Sequence, residues 1–233
     1  MGRLLVGAVK RRAAVGLCIA VGALVAAGCG TPADEQGGPR TADFLRAVER
    51  LPQNGATIGL PDAPHTLTVT ADPSDLAFAQ VAWRHLTPVL AGPVSTGQVN
   101  VVLQPSAAGS DELGPAASDE LLRALFAAGR QQRLWTALAH VLTEYAGFWH
   151  RDTSIDLFEL ADVPDRQRAT EDLDAPAVAA AVARSRVRAR AAGYRGRPTL
   201  RLRSSEGREA ALRGAAADRS VAAQIRRLIS GWG

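Results

Sequence analysis

His65-Thr-Leu-Thr-Val-Thr70 and Gln98-Val-Asn-Val-Val-Leu103 frame the stretch on which the fold turns. The first segment alternates Leu67 and Val69 with threonines, the pattern of a half-buried strand. Asp72-Pro-Ser-Asp75 follows and offers several side chains able to cap a helix N-terminus. Leu76, Phe78, Ala79, Val81, Ala82, Leu86 and Leu90 then recur at helical spacing, predicting a helix to about Leu90 that Pro88 either kinks or ends early. The second segment has the apolar run of a strand covered on both faces. Strand, helix and strand at this spacing form a βαβ unit, and the two strands are expected to be parallel.

The pattern extends in both directions. Downstream, a Ser-, Gly- and Pro-rich loop covers Pro105 to Pro115, and Ser118 to Ala146 reads as two helices meeting near Gly129. Ser154 to Leu160 predicts a short third helix. The next helix runs from Pro176 to about Ala192, with Asp174 expected as its N-cap and Pro176 in its first turn. Gly193 to Pro198 is a turn, Thr199 to Arg203 a strand with Leu200 and Leu202 on one face, and Ser205-Glu206-Gly207 a hairpin turn. Ala215 to Ile229 closes the chain as a helix. Upstream, Phe44, Leu45, Val48 and Leu51 predict a short helix over 42–51, ended by Pro52 and the Asn54-Gly55 pair.

The first 28 residues read as an export signal. Arg3, Lys10, Arg11 and Arg12 make a basic start, and Ala13 to Ala27 carries no charge. A run of about 15 such residues suits a signal segment and falls short of the roughly 20 of a spanning helix. Leu24-Val25-Ala26-Ala27-Gly28-Cys29 resembles a bacterial lipobox, although Ala26 stands where leucine is usual. The resemblance implies that Cys29 becomes lipid-modified and starts the mature chain at the outer face of the cell membrane. An ordinary signal peptide cleaved nearby would instead leave Cys29 as a free thiol. The Arg11-Arg12 pair leaves a twin-arginine export route open, without the flanking residues that would favour it. Gly30 to Arg40 is polar and rich in Gly and Pro, as a flexible tether would be.

Charge and cysteine content narrow the function further. Four of the 27 basic residues and none of the 23 acids lie in 1–28, so the remaining 205 residues carry 23 of each. The basic balance of the whole chain therefore belongs to the signal, and no nucleic-acid partner is expected. The balance is uneven along the chain: Val182 to Gly233 holds 13 Arg and 3 acids. Either the two halves present solvated faces that attract each other within one fold, or the arginines form a patch for anionic lipid or an acidic partner. The only cysteines are Cys18 and Cys29. Cys18 leaves with the signal, so the exported chain has no thiol pair with which to close a disulfide.

Three stretches together resemble the DsbA-like branch of the thioredoxin superfamily. Gly59-Leu-Pro-Asp-Ala-Pro64 with the strand 65–70 and Asp72 resembles the strand that leads into the family's redox motif. Ala124-Leu-Phe-Ala-Ala-Gly-Arg-Gln-Gln-Arg-Leu-Trp135 resembles its helical insert. Ala189 to Thr199, with Gly193-Tyr-Arg-Gly196-Arg197-Pro198-Thr199, resembles the loop that carries a cis-proline. In order and spacing the likeness covers about residues 59–230. It implies an α/β thioredoxin-like fold with a helical insertion. The corresponding organisation is a signal at 1–28, a tether and short helix at 29–58, a first part of the domain at 59–110, the insert at 111–175 and the second part at 176–233.

The departures from that family bear on function. Spacing from Asp72 places the Cys-x-x-Cys positions on Asp75-Leu76-Ala77-Phe78, where neither cysteine is present. Thiol–disulfide exchange needs an attacking thiolate and a resolving thiol, and neither Asp75 nor Phe78 supplies one. Arg197 stands where the family's loop has Thr before the proline. A redox-inactive binding protein follows, with Asp75, Phe78, Arg197 and Pro198 at the groove and a protein or peptide partner expected there. The alternative is a family member that acts through a partner's thiol or through Cys29. No catalytic residue, cofactor or metal site is expected: motifs for a zinc protease, a nucleophile elbow and a P-loop are all absent. His65, His85, His140 and His150 have no metal-ligand spacing, and Trp83, Trp135, Trp149 and Trp232 read as packing groups, Trp232 least readily. Arg184 and Arg188 share one helix face and Arg186 and Arg190 a roughly opposite one, as on a solvated helix.

Overall fold

The computed structural model describes residues 39–106, 114–144, 149, 151–212 and 220–232. Residues 1–28, Cys29, most of the expected tether and His150 lie outside them. A six-stranded mixed sheet forms the frame. Its strands are β1 (Gln53–Asn54), β2 (Thr57–Ile58), β3 (His65–Ala71), β4 (Val99–Pro105), β5 (Thr199–Ser204) and β6 (Glu209–Leu212), in the spatial order β1-β2-β4-β3-β5-β6. β3 and β4 are parallel from His65 opposite Val99 to Ala71 opposite Pro105, as the βαβ reading requires. All other pairs are antiparallel. Leu67, Val69, Val99, Val101, Leu200 and Leu202 from the three central strands are buried in one core.

The crossover between β3 and β4 is a helical segment, α2, spanning 76–94. Its turns alternate between α (Leu76–Val81, Thr87–Val89) and wider π geometry (Ala82–Leu86, Leu90–Val94). Pro88 neither ends it nor breaks its path. A proline removes one backbone donor and crowds the preceding turn, and the flanking π turns accommodate both. The backbone N–H of Thr87 and its hydroxyl both reach back to the carbonyl of Ala82, the wider bond of a π turn.

The helical insertion follows β4: α3 (Gly114–Arg130), α4 (Leu134–Glu144), α5 (Arg151–Leu160) and α6 (Arg166–Asp172). The break near Gly129 lies where expected, with Gln132 in a left-handed conformation at φ 61°. A Cβ on Gly129 would stand 3.3 Å from the Leu134 side chain, so glycine permits the close packing at this corner. Trp135 is fully buried and donates its indole N–H to the carbonyl of Ala56 at 3.0 Å, tying the insert to the β1–β2 hairpin. α7 (Pro176–Ala191) returns the chain to the sheet, and Ser185 bonds the Pro105 carbonyl at the end of β4. α8 (Val221–Trp232) packs on α2, and Trp232 stacks on His65 with ring centroids 5.8 Å apart.

Several expectations need correction. No element is expected from the sequence between Leu160 and Pro176, but α6 forms there, capped by Asp165 on the Arg168 N–H at 2.9 Å. Asp174 does not cap α7. Ala175 occupies that position without a side-chain bond, and Asp174 makes a two-pronged pair with Arg151 at 2.7 and 3.1 Å. Asn54-Gly55 does not end the first helix, which stops at Glu49; it starts the β1–β2 turn, with Gly55 at φ 56°. α1 (Pro39–Glu49) places Phe44 and Val48, both fully buried, in the same core as the sheet. Phe44→Ala is expected to cost about 3–5 kcal/mol in urea unfolding; a loss below about 1 kcal/mol, the range of surface substitutions, would show that α1 is not part of the folded domain.

Candidate functional site

Strand register assembles the site. Thr70 lies opposite Thr199 in the β3–β5 ladder, so the chain leaving β3 and the chain entering β5 meet at one end of the sheet. Asp72 and the start of α2 come from the first strand; the 193–198 loop comes from the second. Asp72 is buried. Its carboxylate accepts from the backbone N–H of Ser74 at 3.0 Å and from the Ser74 hydroxyl at 2.6 Å. This local turn, closed by Asp75 N–H on the Asp72 carbonyl, aims the next residue at the helix start.

Asp75 is the N-cap of α2, with extended backbone at φ −86° and ψ 125°, and its side chain accepts from the Ala77 N–H at 2.8 Å. A carboxylate here satisfies one of the helix's free donors and sits at the positive end of the helix dipole. Leu76 is 52 % exposed, whereas Phe78 is fully buried in the core. Of Asp75, Leu76, Ala77 and Phe78, Leu76 and Ala77 are exposed and Asp75 is half-buried, whereas Phe78 supports the helix from below.

Arg197 is exposed and Pro198 half-buried. The resemblance implies a cis bond between them, but no peptide bond is cis among the described residues. The chain reverses instead at Gly193 and Gly196, which take left-handed conformations at φ 75° and 77°. Pro198 enters β5 through the trans form that proline amides favour by about 0.5–1 kcal/mol. The first of these glycines ends α7 in a Schellman motif: Gly193 N–H bonds the Arg190 carbonyl and Tyr194 N–H the Ala189 carbonyl.

That motif delivers a residue to which the sequence analysis assigned no role. The Tyr194 hydroxyl oxygen accepts from the backbone N–H of Asp72 at 3.1 Å, directly linking the two halves of the site. Burial, followed by the Asp72 carboxylate, pushes its phenol up to about 12, with Asp75 adding a smaller push. The signal available in sequence was Gly193-Tyr194 itself, since the residue after a C-terminal glycine often packs back against the structure.

Other polar clusters are structural. Arg130 pairs with Asp172 at 2.8 Å, and the Gln131 amide bonds both the N–H and the carbonyl of Asp165, fastening α6 to α3. A depression of about 340 Å³ lined by Arg130, Gln131, Asp165 and Arg168 lies over that junction. No His, Cys, Asp and Glu grouping able to hold a metal occurs among the described residues, and none of their helices is long and apolar enough to cross a membrane.

No family profile and no curated protein matches the chain in sequence. Solved structures do match in fold. BdbD from Bacillus subtilis, in its oxidised form, is 12 % identical with a TM-score of 0.61, over 78 % of this chain and 96 % of that one. DsbA2 from Pseudomonas aeruginosa is 21 % identical with a TM-score of 0.56, over 76 % and 96 %. The thiol-disulfide exchange protein alpha-DsbA2 from Wolbachia pipientis is 12 % identical with a TM-score of 0.57, over 83 % and 94 %. At these identities the likeness establishes the fold: thioredoxin-like, with the helical insertion of DsbA-type proteins.

Two outcomes follow from the site's geometry. Asp75→Ala is expected to cost about 1 kcal/mol in thermal unfolding through loss of the cap, with Asp75→Asn retaining most of it; no loss in the alanine variant would count against the capping bond. Tyr194 should also titrate late. In an ultraviolet titration, Tyr194→Phe should remove a phenolate transition near pH 12. Because the folded value is raised above the ordinary 10, the stability it contributes is complete below pH 10 and is lost as pH rises toward 12. A lost transition centred near 10 would refute the buried phenol.

Proposed function

We propose that this is a redox-inactive, lipid-anchored protein of the cell envelope that holds an extended polypeptide in the groove between the start of α2 and the 193–198 loop. The observation that carries the reading is Asp75. At the helix N-terminus, where the DsbA-like resemblance implies a thiolate, the chain has a carboxylate bonded to the Ala77 N–H. The helix end that would favour a cysteine's thiolate here holds a carboxylate instead. An anion of this kind can orient a partner's N–H groups but cannot form a mixed disulfide. Leu76, more than half exposed beside it, gives the groove an apolar contact, and Arg197 and Pro198 form the facing wall.

Cys29 supplies the anchor in this reading, through its lipobox-like context. Lipid on its sulfur would keep it out of thiol chemistry, and a flexible tether would hold the domain at the outer face of the membrane. The fold likeness to thiol-exchange proteins supports the scaffold; the missing thiols separate this chain from their chemistry.

A photo-crosslinking residue at Leu76, with another at Ile155 as control, tests the reading in intact membranes. The expected result is a discrete polypeptide adduct from position 76, weakened several-fold by Arg197→Glu, and no insulin-reducing activity in the purified protein. Equal crosslinking from both positions would refute the groove. Dithiol oxidation or insulin reduction that disappears in a Pro198 variant would instead favour an oxidoreductase working with a partner thiol.

A further inference from the structure

The outward face of α7 is unlike an ordinary solvated helix. Val178, Val182, Ser185 and Ala189 form its buried stripe, packed toward α3 and β4. At 100° per residue, the opposite stripe centres on Val187 and Ala191. Val187 is 65 % exposed, the most exposed large apolar side chain among the described residues. Arg184 and Arg188 flank it on one side and Arg190 on the other, all exposed. Arg186, pointing away from this stripe, is engaged by Asp119 of α3. Arg195 and Arg197 continue the basic surface past the helix end. Among the described residues none of these five exposed arginines has an acidic partner, and the sequence holds no Asp or Glu between Asp174 and Glu206.

We propose that this face docks the domain on an anionic lipid surface, with Val187 and Ala191 at the headgroup boundary and the arginines on lipid phosphates. Charge complementarity selects this occupant. Arginine stems can lie along an apolar strip while their guanidinium groups reach outward to phosphate. The face is a single convex helix with a small apolar centre, which suits a planar interface. The exported chain is charge-balanced, so attraction to an anionic surface needs a local concentration of arginine, and this face supplies one. The inference rests on the lipid-anchor reading, which brings the face to the membrane: nine residues lie between Cys29 and Pro39, a reach of at most about 35 Å. Docking through α7 would present the adjoining 193–198 loop near the membrane surface, which favours a partner that is itself membrane-bound.

The test uses the acylated full chain carrying Val187→Cys, with a polarity-sensitive dye on the new thiol. Cys18 is removed with the signal and Cys29 is blocked by lipid, so labelling is unique. In phosphatidylcholine vesicles containing phosphatidylglycerol, the dye should be shielded from an aqueous quencher. In pure phosphatidylcholine it should remain accessible. Raising salt should release it, because screening shortens the field to a few ångströms. Arg184→Glu with Arg188→Glu should lower the docked fraction by about tenfold or more. A dye at Leu160→Cys should stay accessible throughout. Equal accessibility of position 187 in the two vesicle types overturns the proposal. So does shielding by polyglutamate but by no vesicle, which would assign the face to an acidic polypeptide. Should Cys29 carry no lipid by mass and the protein not float with neutral vesicles, the anchor reading fails on its own. Flotation with anionic vesicles that depends on Arg184 and Arg188 would then still support the face, and its absence would overturn it.

Discussion

Everything at the candidate site depends on β3 pairing with two strands at once. It runs parallel to β4 over seven residues and antiparallel to β5 over six. Parallel pairing with β4 forces a crossover, and α2 supplies it. Antiparallel pairing with β5 places the end of β3 beside the start of β5. The Asp72–Asp75 turn and the 193–198 loop therefore face each other because of backbone register, before any side chain is considered. Side chains then refine the arrangement, most directly through Tyr194 on the Asp72 N–H. A slip of one residue in β5 would turn Leu200 and Leu202 out of the core and Arg201 and Arg203 into it, so burial fixes the register strongly.

The helix start at Asp75 illustrates how one physical device serves different chemistry. Free N–H groups and the helix dipole favour negative charge, whatever atom carries it. A cysteine placed there becomes more acidic and more reactive. With an aspartate there, the same helix end yields a cap. The same architecture can therefore place either group at this helix end, and fold likeness does not carry activity with it.

The frame was legible because its signals were local and periodic. β3, β4 and β5 followed from alternation or from short apolar runs, and the insert from long helical patterns broken at Gly129. The losses came where long-range partners outweighed local preference. Asp174 has the composition of a cap, but Arg151, distant in sequence, engages it from α5. Asp172 gave no local signal, yet it is buried and paired with Arg130. Phe78 fell in the right place for the groove by counting from Asp72. Helical geometry turned it inward, as its place in the apolar stripe with Val81 and Ala82 required. The expected cis bond had no local signal in the residues, and two left-handed glycines make the reversal instead. Tyr194 was named within its loop, but its bond to Asp72 depends on the β3–β5 pairing and could not be read from either segment alone.

The π turns of α2 show where the fold accepts a local cost. Widening the helix around Pro88 keeps it continuous, but it rotates the residues of the turn away from their usual partners. The indole nitrogen of Trp83 and both ring nitrogens of His85 are buried without a hydrogen bond. Burial, with Arg84 adding repulsion, lowers the pKa of His85, so the ring is held neutral near physiological pH. A neutral imidazole without partners is far less costly to bury than an imidazolium would be. The helix that carries Asp75 at one end therefore tolerates an unsatisfied segment in its middle, supported by contacts from α1 and α8 on the same stretch. That support explains why helices at the two ends of the described chain, both outside the βαβ unit, are packed on the element whose N-terminus forms the site.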